Sequence, residues 1–319
     1  MDRRVSILIV SVALAGGIIA FMLLRVWGDL LAAIEHWNPF YLIPAVAFAT
    51  AGWWLRGARY RSILGSLGIR AGLVFSTACV LISQTANLVI PARLGDLVRV
   101  FILKHENLSG YSTGISSIII ERFFDILTVA LLGLVALPFV LGVPTWVYYT
   151  IVVPLAICGV FVLVLLALGK VQSKNRILAI AISMIQEMRK ASLSARAVLG
   201  LSGLSVIIWA TDVATTLSVA AMFGARVSVA VVLLAVVIGN LFKAVPVTPG
   251  GIGTYEAAVA VILVLSGTGQ ATATLIAVSD HLVKNLITAV GGILSIRLLG
   301  TWVVDAIRDA FRGKGEART

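Results

Sequence analysis

Charge is scarce in this chain. Of 319 residues only 12% are Asp, Glu, Lys or Arg, while 60% are hydrophobic; a soluble domain carries roughly 25% charged residues. A water-soluble globular protein is therefore excluded, and the mean hydropathy of +1.06 points to a chain dissolved in lipid. Long polar stretches are missing too, which leaves no segment for a separate soluble domain. Cysteine is limited to Cys79 and Cys158, both inside apolar runs, so no disulfide framework is expected. The three histidines, His36, His105 and His281, are scattered and have no cysteine or carboxylate pair beside them in sequence. No metal and no cofactor is expected. A nucleophile set beside a base is also lacking, which argues against an enzyme.

Apolar runs of about 18 residues or more, enough for a helix to cross roughly 30 Å of hydrocarbon, recur from end to end. One all-α polytopic membrane domain over 1–319 is expected. The first run, Val5 to Leu24, follows Arg3 and Arg4; it is longer than a signal-peptide core and lacks a small-residue exit, so it reads as a retained span.

The formal charge of +11 sits in short basic clusters between the apolar runs. That is the pattern of the positive-inside rule, and a nucleic-acid partner is not expected. The clusters are Arg3 and Arg4; Arg56, Arg59, Arg61 and Arg70; Lys170 to Arg196; and Arg297 to Arg318. All four should be cytoplasmic, which puts both termini on the cytoplasmic side of the cell membrane. Between Arg70 and Lys170 lie three apolar segments, 72–90, 114–137 and 146–169, and three crossings cannot return the chain to its starting side. The segment 72–105, broken at Pro91, is the best candidate for a re-entrant hairpin entering from the cytoplasm. The alternative is that 72–90 crosses and one basic cluster breaks the rule. The same parity makes 228–266, broken at "PVTPGGIGT", a hairpin from the other side, followed by a span over 271–296. About six full spans plus two re-entrant helical hairpins result.

The two hairpins are alike. "SQTANLVIPARLGDLVRVF", then "LSGYSTG", then "IIIERFFDIL" runs parallel to "IGNLFKAVPVTPGGIGTYEAAV", "LSGTGQ" and "VSDHLVKNLI". An offset of 158 sets both Pro91 on Pro249 and Gly95 on Gly253, and brings Glu121 within one residue of Asp280. With one hairpin on each side, the repeat is inverted, the arrangement in which broken helices meet near the membrane midplane in many transporters.

The pairing of an N-L-x-x-P-x-R-x-G-D tip (Asn87 to Asp96) with P-G-G-x-G-x-x-E (Pro249 to Glu256), an E-R span and a D-x-x-x-K-N span resembles the flippase-like membrane domain of lysylphosphatidylglycerol synthases and their stand-alone relatives. The resemblance covers roughly residues 5–300 and implies lipid translocation. Relatives fused to a cytoplasmic aminoacyl-transfer domain modify the lipid first; these 319 residues carry no such domain, so synthase activity gains no support. The implied partners are membrane lipids of the anionic phospholipid or polyprenyl-phosphate type, and homo-oligomerisation is left open. The rival reading is a carrier of a small anionic or polar solute.

A charge at the centre of a membrane helix costs about 2.5–3.5 kcal/mol, so each must face an interior. Arg93 and Arg99 suit a phosphate because guanidinium donates two parallel hydrogen bonds and stays charged, with Asp96 as their counter-charge. Gly250, Gly251 and Gly253 expose backbone N–H groups ahead of a helix N-terminus. Asn87, Lys243 and Glu256 complete the expected binding set. Glu121, Arg122, Asp125, Asp280 and Lys284 are read as coupling or ion-pairing residues: Asp280 and Lys284, four apart, share a helix face, and Glu121 has Arg93 or Arg99 as alternative partners. Residues 173–192 form an amphipathic pattern and are expected to lie along the cytoplasmic leaflet. Trp53, Trp54, Trp146, Tyr148 and Tyr149 are expected to be interface anchors.

Overall fold

The computed structural model describes residues 3–29, 34–35, 37–168, 176–245, 247–300 and 302–304. His36, Lys170, Lys174, residues 173–175 of the amphipathic segment and the basic residues after 304 lie outside them. Every regular element among the described residues is helical. The long helices are α1 (Arg3–Arg25), α2 (Leu42–Ser66), α5 (Tyr111–Ala136), α6 (Thr145–Leu168), α8 (Ala195–Met222) and α11 (Gln270–Leu299). Between them lie the shorter α3 (Leu73–Val89), α4 (Val98–His105), α7 (Arg176–Ser192), α9 (Val229–Ala244) and α10 (Thr254–Leu265).

Of the described helices, α6, α8 and α11 are long and apolar enough to cross a membrane by length and composition. Helices α2 and α5 have 25 and 26 residues, long enough at about 1.5 Å per residue, but each carries several charges. The reason shows in the packing. Helix α11 is polar inside and oily outside: Asp280, His281 and Thr288 are buried, whereas Leu282, Leu286, Val290, Leu294 and Leu298 are exposed. A helix in water would reverse these faces. Helix α6, with a hydropathy of 3.1, buries one stripe, Val147, Ile151, Cys158 and Leu165, and turns its remaining apolar surface outward, which only lipid can cover.

Two helix pairs are broken at proline. Proline has no N–H and pushes the residue before it out of the helical region; accordingly Ile90, just before Pro91, ends α3 in an extended conformation (φ −96°, ψ 119°), and a 3-10 turn over Pro91–Leu97 leads into α4. Val245, which precedes Pro246 in sequence, ends α9 at φ −78°, ψ 115°. The chain then turns through Pro249–Gly251 into α10, with Gly250, Gly251 and Gly253 at φ 62°, 75° and 86°, left-handed values that glycine alone adopts without strain. Helices α3 and α9 have 17 and 16 residues, about 25 Å at 1.5 Å each, short of roughly 30 Å of hydrocarbon.

The broken pairs meet at their tips. A Cβ added to Gly250 would lie 3.0 Å from Leu88 Cδ2, so the second turn rests on the end of α3. Helix α3 is itself clamped between α2 and α11: Gly57 faces Thr77, Gly292 faces Thr85, and Thr85 donates to the Thr288 carbonyl at 2.8 Å.

Candidate functional site

The charges of the first broken pair form one network. Arg99 on α4 is fully buried; its guanidinium donates to Glu121 on α5 and lies 3.5 Å from Asp96. Arg59 on α2 pairs with Asp125 at 2.7 Å, reaches Glu121 at 3.5 Å and donates to Ser205 at 2.8 Å. Arg122 pairs with Asp96 at 3.2 Å and with Asp125 at 3.5 Å. Asp96 also accepts from Gln84 and Asn87, at 3.2 and 3.0 Å. The turn between α3 and α4 is thus tied by its own carboxylate to α3 and α5.

The second network is built on α11. Asp280, with no solvent exposure, accepts from Thr216 and Tyr255 at 2.8 Å each and pairs with Lys284 at 2.9 Å. One position along, His281 Nδ1 lies 2.8 Å from Glu256 Oε1, and His281 Nε2 lies 3.1 Å from Lys243 Nζ. The other oxygen of Glu256 accepts the Gly253 N–H at 2.7 Å, locking the glycine turn onto α10. Between the networks Arg56 pairs with Asp212 at 2.9 Å and stacks over Trp53.

A cavity of about 250 Å³ separates the two networks; its polar wall includes Arg93, Arg122, Lys243, Lys284 and Asn285. A smaller space of about 50 Å³ continues between the tips, beside Asn87, Gly250 and Gly251, and shares Arg93, Lys243 and Asn285 with the first. Seven cations reach this interior: Arg56, Arg59, Arg99, Arg122 and Lys284, each paired with a carboxylate, and Arg93 and Lys243, which are not. Six carboxylates face them, the sixth being Glu256 on His281. Among the described residues Arg93 makes no ion pair, and Lys243 contacts the imidazole and lies 5.9 Å from the centroid of the Tyr255 ring, so one positive charge is left over beside the cavity. Arg93 also holds φ 55°, a left-handed conformation that costs a side-chain-bearing residue about 1–2 kcal/mol.

Several expected roles shift with this geometry. Arg99 and Asp96 stand behind the cavity wall, not on it, because Glu121 and Arg122 hold them. Arg93, expected to share Asp96, has no carboxylate partner. The glycine turn offers fewer free donors than expected: Gly251 and Ile252 N–H donate to the Thr248 and Pro249 carbonyls, and Gly253 N–H to Glu256. Gly250 and Gly251 line the smaller space, while Gly253 abuts Ala15 and Ile18 of α1. Arg56 and Arg59, read as a cytoplasmic cluster, lie inside helix α2 and point inward; Arg61 and Arg70 are exposed. Trp53 lines the cavity instead of anchoring an interface, unlike the exposed Trp54. Arg56, Arg59, Asp212, Tyr255 and His281 are among the site residues that sequence reasoning missed. A signal existed for Arg59: Gly52, Arg56, Arg59 and Ile63 follow the i, i+4, i+7, i+11 spacing of one packed helix face.

The sequence profile of the family described as Lysylphosphatidylglycerol synthase TM region matches residues 8–292. "Glycosyltransferase AglD" of Haloferax volcanii is 33% identical over 358 aligned positions that cover 97% of this chain and 57% of that protein, so the chain spans little more than half of this relative. "UPF0104 membrane protein MJ1078" of Methanocaldococcus jannaschii is 27% identical over 188 positions, 56% of this chain and 79% of the relative. No solved structure matches the chain.

Proposed function

The chain belongs to the family of lysylphosphatidylglycerol synthase transmembrane regions and is a multi-pass helical membrane protein, and from that premise we propose that it moves a lipid with a phosphate headgroup between the leaflets of the cell membrane. The two broken helix pairs act as re-entrant hairpins of an inverted repeat, set among about six full spans, with the termini in the cytoplasm. The phosphate binds between the tips, on Arg93 and Lys243, while its acyl or prenyl chains stay in the bilayer. The observation that carries this reading is the pair of cations that face the cavity without a carboxylate. An unpaired buried cation is expensive in a medium of low dielectric, and an anionic ligand relieves that cost.

Transport is preferred to catalysis because, among the described residues, the interior carboxylates are all engaged by cations or by His281, leaving none free to activate an acceptor. The transferase activity in the name of AglD belongs to a protein of which this chain matches only part. A small-solute carrier would use the same cations, and the lipid dependence of binding separates the two.

The test is native mass spectrometry of the purified protein with lipids that carry or lack a phosphate. Arg93→Gln should fold, since it removes an unpaired charge, and lose at least tenfold in affinity for the phosphate lipids. Arg93→Lys should recover only part, because an ammonium lacks the two-pronged donor. Equal binding by Arg93→Gln and the parent refutes the site; binding of free phosphate with indifference to the lipid favours the solute carrier.

A further inference from the structure

Lys243 contacts an imidazole where every other paired cation of the cavity contacts a carboxylate. The donor inventory fixes how the contact works: an ammonium only donates, so His281 Nε2 is the acceptor, and Nδ1 carries the ring proton and donates it to Glu256. Glu256 is in turn pinned by the Gly253 N–H of the second tip. The dyad is therefore held in one orientation, with the Nε2 lone pair aimed at Lys243 and stabilised from behind by a carboxylate, the arrangement that suits an imidazole to take on a second proton.

We propose that the His281–Glu256 dyad is a proton acceptor linked to ligand binding through Lys243, so that each phosphate headgroup enters the cavity together with a proton. The proposal rests on the phosphate reading of the cavity and deepens it. While Lys243 donates to Nε2, no proton can be added there. When a phosphate oxygen takes the ammonium, the Lys243–Nε2 hydrogen bond breaks, and a proton from solvent bonds to Nε2. The ring becomes imidazolium, with Nδ1–H still on Glu256 and Nε2–H free to face the cavity. Charge favours this order. The interior holds one positive charge in excess with His281 neutral; a singly charged phosphodiester cancels it, so the added proton only returns the site to the charge it carries when empty, and with a doubly charged phosphate monoester the added proton leaves it neutral.

The groups around His281 allow the change. From α9 comes Lys243; from α10, Glu256 and the Tyr255 ring, whose centroid is 4.5 Å away; on α11 itself, Asp280 and Lys284 are paired to each other. Across the cavity stand Asp212 of α8, Arg56 of α2 and Arg93 of the first tip. Helix α3 presents only the neutral Val80 and Gln84 to this space. Lys243 is the one cation in contact with the ring, and it is the group the ligand draws away.

Isothermal titration of the detergent-solubilised protein with dihexanoyl phosphatidylglycerol tests this directly. The diester of that lipid keeps its single charge near neutral pH, so any proton taken up belongs to the protein. Run in HEPES and in Tris, which differ in ionisation enthalpy, the parent should show a buffer-dependent heat equivalent to a substantial fraction of one proton per lipid. His281→Gln keeps an acceptor for Lys243 but cannot be protonated; it should bind with a buffer-independent heat. Glu256→Gln, which keeps an acceptor for Gly253, should lower the uptake and serves if the first variant does not fold. Binding by the parent with no buffer dependence, or uptake unchanged in either variant, overturns the relay and leaves the phosphate site standing. No binding by the parent overturns both.

Discussion

Arg99 and Glu121 meet where neither reaches water, at 0% and 2% exposure. Removing one member of such a pair strands the other charge and costs about 3–5 kcal/mol, whereas replacing both with apolar residues of similar size is often tolerated. Glu121→Ala should therefore lower the unfolding midpoint in detergent markedly, since Arg99 is left with Asp96 at 3.5 Å and Arg59 with Asp125 alone. The double variant Arg99→Met, Glu121→Met should regain most of the loss. A stable Glu121→Ala, or a double variant no better than the single one, would mean that the pair does not hold α4 to α5. The same reasoning separates two kinds of cation: those with carboxylate partners are held by them, whereas in the proposed function Arg93 and Lys243, which lack them, bind the phosphate.

At the scale of elements, close helix approach at glycine decides where the first broken pair sits. A Cβ on Gly57 would fall 1.9 Å from Thr77 Oγ1 and 2.8 Å from the Thr77 backbone, so α2 and α3 could not keep their spacing. Without a hydrophobic drive between helices in lipid, such small-residue contacts carry much of the association. Gly57→Ala should cost about 1–3 kcal/mol through overpacking, read as a lower thermal midpoint. Gly203→Ala on α8, where nothing lies within 4 Å, should be neutral. If both variants melt alike, the α2–α3 contact is looser than its geometry implies.

For the whole molecule, the proposed inverted repeat predicts sidedness. Leu108→Cys, in the loop after the first broken pair, should react with an impermeant maleimide from the cytoplasmic face only, and Thr268→Cys, after the second, from the opposite face only. Cys79 and Cys158 are buried, so the background should be low. Labelling of both new cysteines from one side would remove the inverted topology, whatever the fate of the phosphate site.

The sequence by itself determined what depends on neighbours along the chain. The helices break just before Pro91 and ahead of the Pro249–Gly251 turn because ring geometry and glycine conformations are local properties; the membrane setting follows from hydropathy, which is additive over a run; the Asp280–Lys284 pair follows from helical spacing. Only the tertiary structure decided which charges meet across helices. Arg56 finds Asp212 across 156 positions, Arg59 turns from an expected surface cluster to Glu121 and Asp125, and an apparently isolated His281 lands between Glu256 and Lys243. These pairings depend on how each helix is rotated about its axis and how closely its neighbours approach. Both are set by packing at Gly57, Gly292 and the two tips, and no periodicity within one helix records them.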